Sequence, residues 1–181
     1  MEDEELLAPD LILLLLVAPS RWTQAKNRIN GITRLEKLLF LIEKEHGEHI
    51  SVEQPFEFES YHYGPYSRAV YEAVELLEEA KLLEEYRQLT DSNLDRAEEL
   101  LYSDTATELS YERQFALTAD GETVASYLAN MHPQVHERIS KLKDQYGGLT
   151  LQNLIYHVYT QYPDYTEKSV IRDQVLGTIA Q

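Results

Sequence analysis

Apolar residues along the chain recur mostly at helical spacing, and the helices they predict have recognisable ends. Leu11 to Ala18 is the longest apolar run, opened by Asp10 as a cap and closed by Pro19, which predicts a first helix through Val17. The run is far short of the roughly 20 residues needed to cross a bilayer. It is expected as a buried helix, in the core or in a seam between copies. Thr33-Arg34-Leu35-Glu36 has capping-box spacing. Behind it Leu35, Leu38, Leu39, Phe40, Leu41 and Ile42 are apolar nearly all round, the pattern of a central helix, which His46-Gly47 closes.

Phe56-Glu57-Phe58-Glu59 alternates with period two and predicts a short strand. Gly64-Pro65 marks a turn, and Ser67 is placed to cap a helix reaching about Lys81. That helix has an apolar stripe at Val70, Ala73, Val74, Leu77 and Ala80, with Glu72, Glu75, Glu78 and Glu79 on its other face. Leu82–Gln88 and Tyr111–Leu117 read as two strands, with a short helix over Asn93–Leu101 between them. Thr118 caps a further helix to about Asn130. Pro133 begins another, with its stripe at Val135, Ile139, Leu142 and Tyr146 and its stop at Gly147-Gly148. Thr150 opens one more, which Pro163 ends. A mainly α, α+β fold follows. Its first part, residues 1–130, is expected to be a winged helix-turn-helix-like domain with a two-stranded wing. Residues 131–181 are expected as a helical C-terminal extension packed on it.

The 181 residues suit one domain with such an appendage. The chain has no cysteine, which excludes disulfides, a thiol nucleophile and Cys-ligated metal, and fits a reducing cytoplasm. Glu2, Asp3, Glu4 and Glu5 oppose the basic start of a signal peptide, so a cytoplasmic protein is expected. Charge changes the picture most. The formal net charge is −16, and residues 45–110 hold 17 acids against four bases, whereas residues 20–44 hold six bases against two acids. A strongly negative field repels phosphates and attracts basic partners, although an acidic surface also serves solubility alone.

In a DNA-reading winged helix, the helix before the wing enters the major groove. Here that helix and its exit carry Arg68 and Lys81 against Glu72, Glu75, Glu78, Glu79, Glu84 and Glu85. A protein-binding face is therefore expected, made by Tyr63, Tyr66, Arg68, Glu72, Glu75 and Glu79. Tyr61, Tyr63, Tyr66 and Tyr71 flank the Gly-Pro turn. Packing on Phe56 and Phe58 is expected of them, with Tyr63 and Tyr66 protruding because they stand beside the turn. A nucleic acid would instead meet Arg21, Lys26, Arg28 and Arg34, with Lys37 and Trp22 nearby, unless these bases only balance the acidic middle. His132 and His136 have i, i+4 spacing but lack a third marked ligand. No Gly-rich phosphate loop or G-x-S-x-G occurs, so no enzyme, cofactor or metal is expected.

The stretch Phe56-Glu-Phe-Glu-Ser-Tyr-His-Tyr-Gly-Pro-Tyr-Ser67, with Tyr71, Leu76, Leu77, Leu82 and Leu83 behind it, resembles the Panacea (SocA-like antitoxin) domain and related winged-helix proteins of bacteria and archaea. Leu35–Ile42, Phe115-Ala-Leu-Thr-Ala-Asp-Gly121 and Tyr162–Ser169 add to the likeness, and Ala80-Lys81 stands where such proteins commonly have a glycine. The resemblance implies a non-enzymatic, antitoxin-like, defence or regulatory role through contacts with a protein partner. That partner is expected to be basic or itself nucleic-acid-binding: a toxin, an effector or a complex subunit. A DNA-binding transcriptional regulator is the alternative.

Overall fold

The computed structural model describes residues 5–22, 27–89 and 111–177; the helix expected at Asn93–Leu101 lies outside the described residues, as does Lys26. The fold is mixed α+β, with seven α-helices and two small antiparallel sheets among the described residues. No helix there is long and apolar enough to cross a membrane.

Helix α1 (Ala8–Val17) is the hub. Leu11 to Leu16 are all 0–2% exposed, so the run belongs to the core. Each fully buried aliphatic chain is worth roughly 1.5–3 kcal/mol over an exposed one, so packing holds this short helix more than propensity does. Asp10 is not its N-cap, as the sequence suggested, but its third residue, where the carboxylate accepts the Leu7 N–H at 2.8 Å. At the other end the buried Lys143 ammonium donates to the Leu16 and Ala18 carbonyls, each at 2.9 Å. A cation there complements the helix dipole and satisfies carbonyls the helix leaves open.

Strand β1 (Arg28–Asn30) leads through Gly31 into α2 (Ile32–His46). Gly31 has φ +84 and donates its N–H to Arg113 O at 2.6 Å, so the helix begins two residues earlier than the capping-box pattern implies. Thr33 is thus inside the helix and buried, and Glu36 is turned to another task. The expectation of a central helix holds: Ile32, Thr33 and every residue from Leu35 to Ile42 are buried.

A small hairpin follows, of β2 (Glu59–Tyr61) and β3 (Gly64–Tyr66). The strand expected from Phe56 to Glu59 is displaced: pairing starts only at Glu59, because Glu57 takes φ +53 and breaks the extended alternation. Phe56 is buried, and Phe58 meets Phe40 edge-on at 5.3 Å.

Helix α3 (Arg68–Glu79) buries Val70, Ala73, Val74 and Leu77 of its expected stripe, but Ala80 is exposed, because the helix ends before it and the chain turns away. Its exit is a Schellman turn, with Leu82 N–H bonded to Leu77 O at 2.9 Å and Lys81 N–H to Glu78 O at 3.0 Å. Lys81 takes φ +59, the conformation a glycine supplies without strain. Strands β4 (Leu83–Leu89) and β5 (Tyr111–Leu117) pair antiparallel from Leu83↔Leu117 to Leu89↔Tyr111, as expected, and β1 adds to β5, giving the order β1-β5-β4.

Thr118 caps α4 (Ala119–Met131) by accepting Gly121 N–H. Then come α5 (Pro133–Tyr146), α6 (Leu151–Gln161), a 3-10 turn (Pro163–Thr166) and α7 (Arg172–Gly177). Helix α1 packs against α3, α4 and α5, and α2 against α5 and α6. Ile139, Leu142, Leu154, Ile155, Val158 and Tyr159 join the same hydrophobic cluster as α1 and α2.

Candidate functional site

The Tyr63-Gly-Pro-Tyr-Ser67 string is held to the first half of α2, and Gly64, Pro65 and Ser67 each meet a specific demand. Gly64 has φ +88, and a Cβ there would sit 2.7 Å from the ring of the buried Tyr159. The Pro65 carbonyl accepts from Lys37 Nζ at 2.6 Å, and Lys37 also donates to Glu36 Oε2 at 3.0 Å. Glu36 uses its other oxygen to accept the Ser67 N–H at 3.1 Å, while Ser67 Oγ donates to the Phe56 carbonyl. The Glu36–Lys37 pair, 2% and 1% exposed, therefore fastens the backbone at Pro65 and at Ser67 to the central helix. Sequence reasoning placed Lys37 in a basic surface group. Its side chain lies beneath this loop instead.

The tail braces the first half of the same hairpin, at residues 60 and 62. Lys168 N–H donates to Ser60 Oγ at 3.0 Å and Val170 N–H to His62 O at 2.9 Å, and Tyr159 Oη lies 2.9 Å from Ser169 Oγ. Burial pushes the Tyr159 phenol up to about 12.

Above this frame the tyrosines form a row. Tyr61 stacks on His62 at 4.3 Å and leans on Tyr66 at 5.0 Å, and Tyr66 leans on Tyr71 at 5.6 Å. The most open ring is Tyr61, 44% exposed, while Tyr63 and Tyr66 are half-buried, the reverse of what their place beside the turn suggested. Together with Tyr63, Gly64, Pro65 and the Glu36–Lys37 floor, Tyr61, Tyr66 and Tyr71 line a half-open cavity of about 270 Å³.

On α3, Glu72, Glu75, Leu76 and Glu79 are all exposed and fall at i, i+3, i+4 and i+7. They form one continuous stripe opposite the buried one, with Leu76, 54% exposed, among three carboxylates. Arg68 pairs with Glu72 at 2.8 Å on the surface. The acidity continues toward the sheet. Glu78 is pushed above the ordinary carboxylate range by burial first and by nearby Glu85 second. Glu85 is held below that range, chiefly by its two hydrogen bonds from Arg113 at 2.8 and 2.9 Å. Arg113, from β5, thus neutralises one acid of the face, a partnership that strand pairing creates and local spacing does not show.

Of the basic residues of the amino-terminal part, Arg21 and Arg34 both bond the 144–149 segment. Arg28 is exposed on β1. Arg34 donates to Leu149 O at 2.8 Å. Arg21 donates its backbone N–H to Asp144 and lies over Trp22 at 5.7 Å. His132 and His136 stand at the start of α5, where the His136 Nε2 is buried without a hydrogen-bond partner. Among the described residues no three metal-binding side chains gather.

In comparisons with known proteins, no family model, no curated protein and no solved structure matches the chain.

Proposed function

We propose that this protein is a non-enzymatic interaction module of winged-helix type that binds a basic protein partner through α3 and the adjoining Tyr-Gly-Pro-Tyr-Ser hairpin. One observation carries the reading: α3 exposes a leucine ringed by Glu72, Glu75 and Glu79. Such a stripe offers apolar contact and a charge that accelerates encounter with a cationic surface. The winged-helix description draws on the order α1-β1-α2-β2-β3-α3-β4-β5, in which α3 leads into the antiparallel pair β4-β5 and β1 lines that pair as β1-β5-β4. The resemblance of residues 56–67 to the antitoxin domain suggests the partner class: a toxin, an effector, or a subunit of a defence or regulatory complex.

The same surface argues against duplex DNA at α3, where phosphate oxygens would face carboxylates. The decisive experiment isolates the partner that co-purifies from the native host and titrates its binding against salt. Affinity should fall as ionic strength rises and should drop at least tenfold in the Glu72→Gln, Glu75→Gln, Glu79→Gln triple variant. Salt-independent binding that the triple variant retains overturns the reading. So does a gel shift of duplex DNA at low salt that Arg28→Ala abolishes.

A further inference from the structure

We propose that the tyrosine-lined cavity is a receptor for an arginine side chain of the basic partner, a proposal that rests on the partner reading above. The cavity has the chemistry of a guanidinium cage. The rings of Tyr61, Tyr66 and Tyr71 pack in a row at 5.0 and 5.6 Å, and all three line one volume. Cations are drawn to such faces, and the planar, weakly hydrated guanidinium stacks on them best. A volume of about 270 Å³ admits the head and part of the stem of one long side chain.

The floor does not oppose a cation. Lys37 is its one positive group, and that ammonium is matched by Glu36 and committed to Glu36 Oε2 and Pro65 O. The nearest surface cation on α3, Arg68, is engaged by Glu72. Tyr71 lies on α3 between Arg68 and Glu75, so the cavity adjoins the acidic stripe, and a partner lying along that stripe brings its side chains to the tyrosines. The field of a chain with net charge −16 favours a cationic occupant over a carboxylate or phosphate.

The test uses the full chain and N-acetyl-arginine amide as probe, with the isosteric but uncharged N-acetyl-citrulline amide and the anionic N-acetyl-glutamate amide as controls. Binding is read from NMR shifts of the tyrosine ring protons. Saturable millimolar binding is expected for the arginine probe, about fivefold or more tighter than for citrulline, the ratio one cation–π contact supplies. Tyr61→Leu, at an exposed position, should weaken it about fivefold, and Tyr61→Phe, which keeps the ring face, should restore it. Equal binding of citrulline, preference for glutamate, absence of binding, or indifference to both Tyr61→Leu and Tyr66→Leu overturns the proposal. A partner interaction lost in the triple Gln variant yet unchanged in Tyr61→Leu and Tyr66→Leu removes the arginine site and leaves the acidic stripe standing. Arginine binding that persists while partner binding ignores the triple Gln variant removes the stripe and leaves the site.

Discussion

Lys37 and Lys143 are buried to the same degree, about 1% exposed, yet they are solvated by different means. Lys37 faces a carboxylate and a carbonyl, and through them it holds the hairpin loop to α2. Lys143 faces two carbonyls at the end of α1, and among the described residues no carboxylate bonds its ammonium. Desolvation then dominates, and the Lys143 ammonium is pushed down to about 8, with neighbouring Asp144 only partly opposing the shift. Burial alone therefore does not say what a charge is doing. A paired lysine fastens two segments together, whereas an unpaired one stabilises a helix end at the cost of an easily lost proton.

The largest expected effect comes from making the first lysine resemble the second. Glu36→Ala strands the Lys37 ammonium and the Ser67 N–H together, and should cost about 3–5 kcal/mol in urea unfolding. The double variant Glu36→Leu, Lys37→Met removes both charges and should cost much less. Equal losses in the two variants would mean that packing volume, and not charge, decides this site. Next is Gly64→Ala, which forces a Cβ against the Tyr159 ring at positive φ. It should destabilise by about 2 kcal/mol while leaving the Lys143 end of the molecule unaffected.

A pH series sharpens the contrast at Lys143. Its folded pKa, about 8, lies below the usual lysine value, so the folded state sheds a proton that the unfolded chain retains. Stability from this group is therefore lowest below pH 8 and rises as pH climbs toward 10. Between pH 7 and 9.5 the wild type should gain on the order of 1–2 kcal/mol relative to Lys143→Met. The buried Tyr159 acts in the opposite direction but at higher pH: its phenol, raised to about 12, withdraws stability only above about pH 10. His136, lowered by its own burial and then by Lys143, titrates on the acid side of the window. A flat difference between wild type and Lys143→Met would show that the ammonium is hydrated after all. The smallest effect is expected far from both lysines. Lys81→Gly relieves the left-handed backbone after α3 and should add up to about 1 kcal/mol.

Elements with periodic stripes and side-chain caps could be read from sequence. The pairing of Leu82–Gln88 with Tyr111–Leu117, the Thr118 and Thr150 caps and the stripe of α3 all follow local rules, and the structure repeats them within a residue or two. Strand β1 escaped because only Ile29 of its three residues is buried, which leaves no alternation to detect. The start of α2 was misplaced because Gly31, whose role depends on a bond to Arg113 more than 80 residues away, outweighs a textually plausible threonine cap. Of the site, the tyrosine group and the acidic stripe were visible in the sequence, but the pair beneath them was not. Glu36 and Lys37 are adjacent in sequence and point to a common task only because the hairpin closes over them. One signal was present: both sit in a helix whose neighbours from Leu35 to Ile42 are apolar nearly all round, so neither had a wet side to occupy.

The bonds from residues 168 and 170 to residues 60 and 62 carry a temporal meaning. A ribosome releases the hairpin long before it supplies the strap that braces it, across a sequence separation of 108 residues. Until then the hairpin has only its anchor on Glu36 and Lys37, so a nascent chain must reach residue 170 before both strands of the hairpin are held.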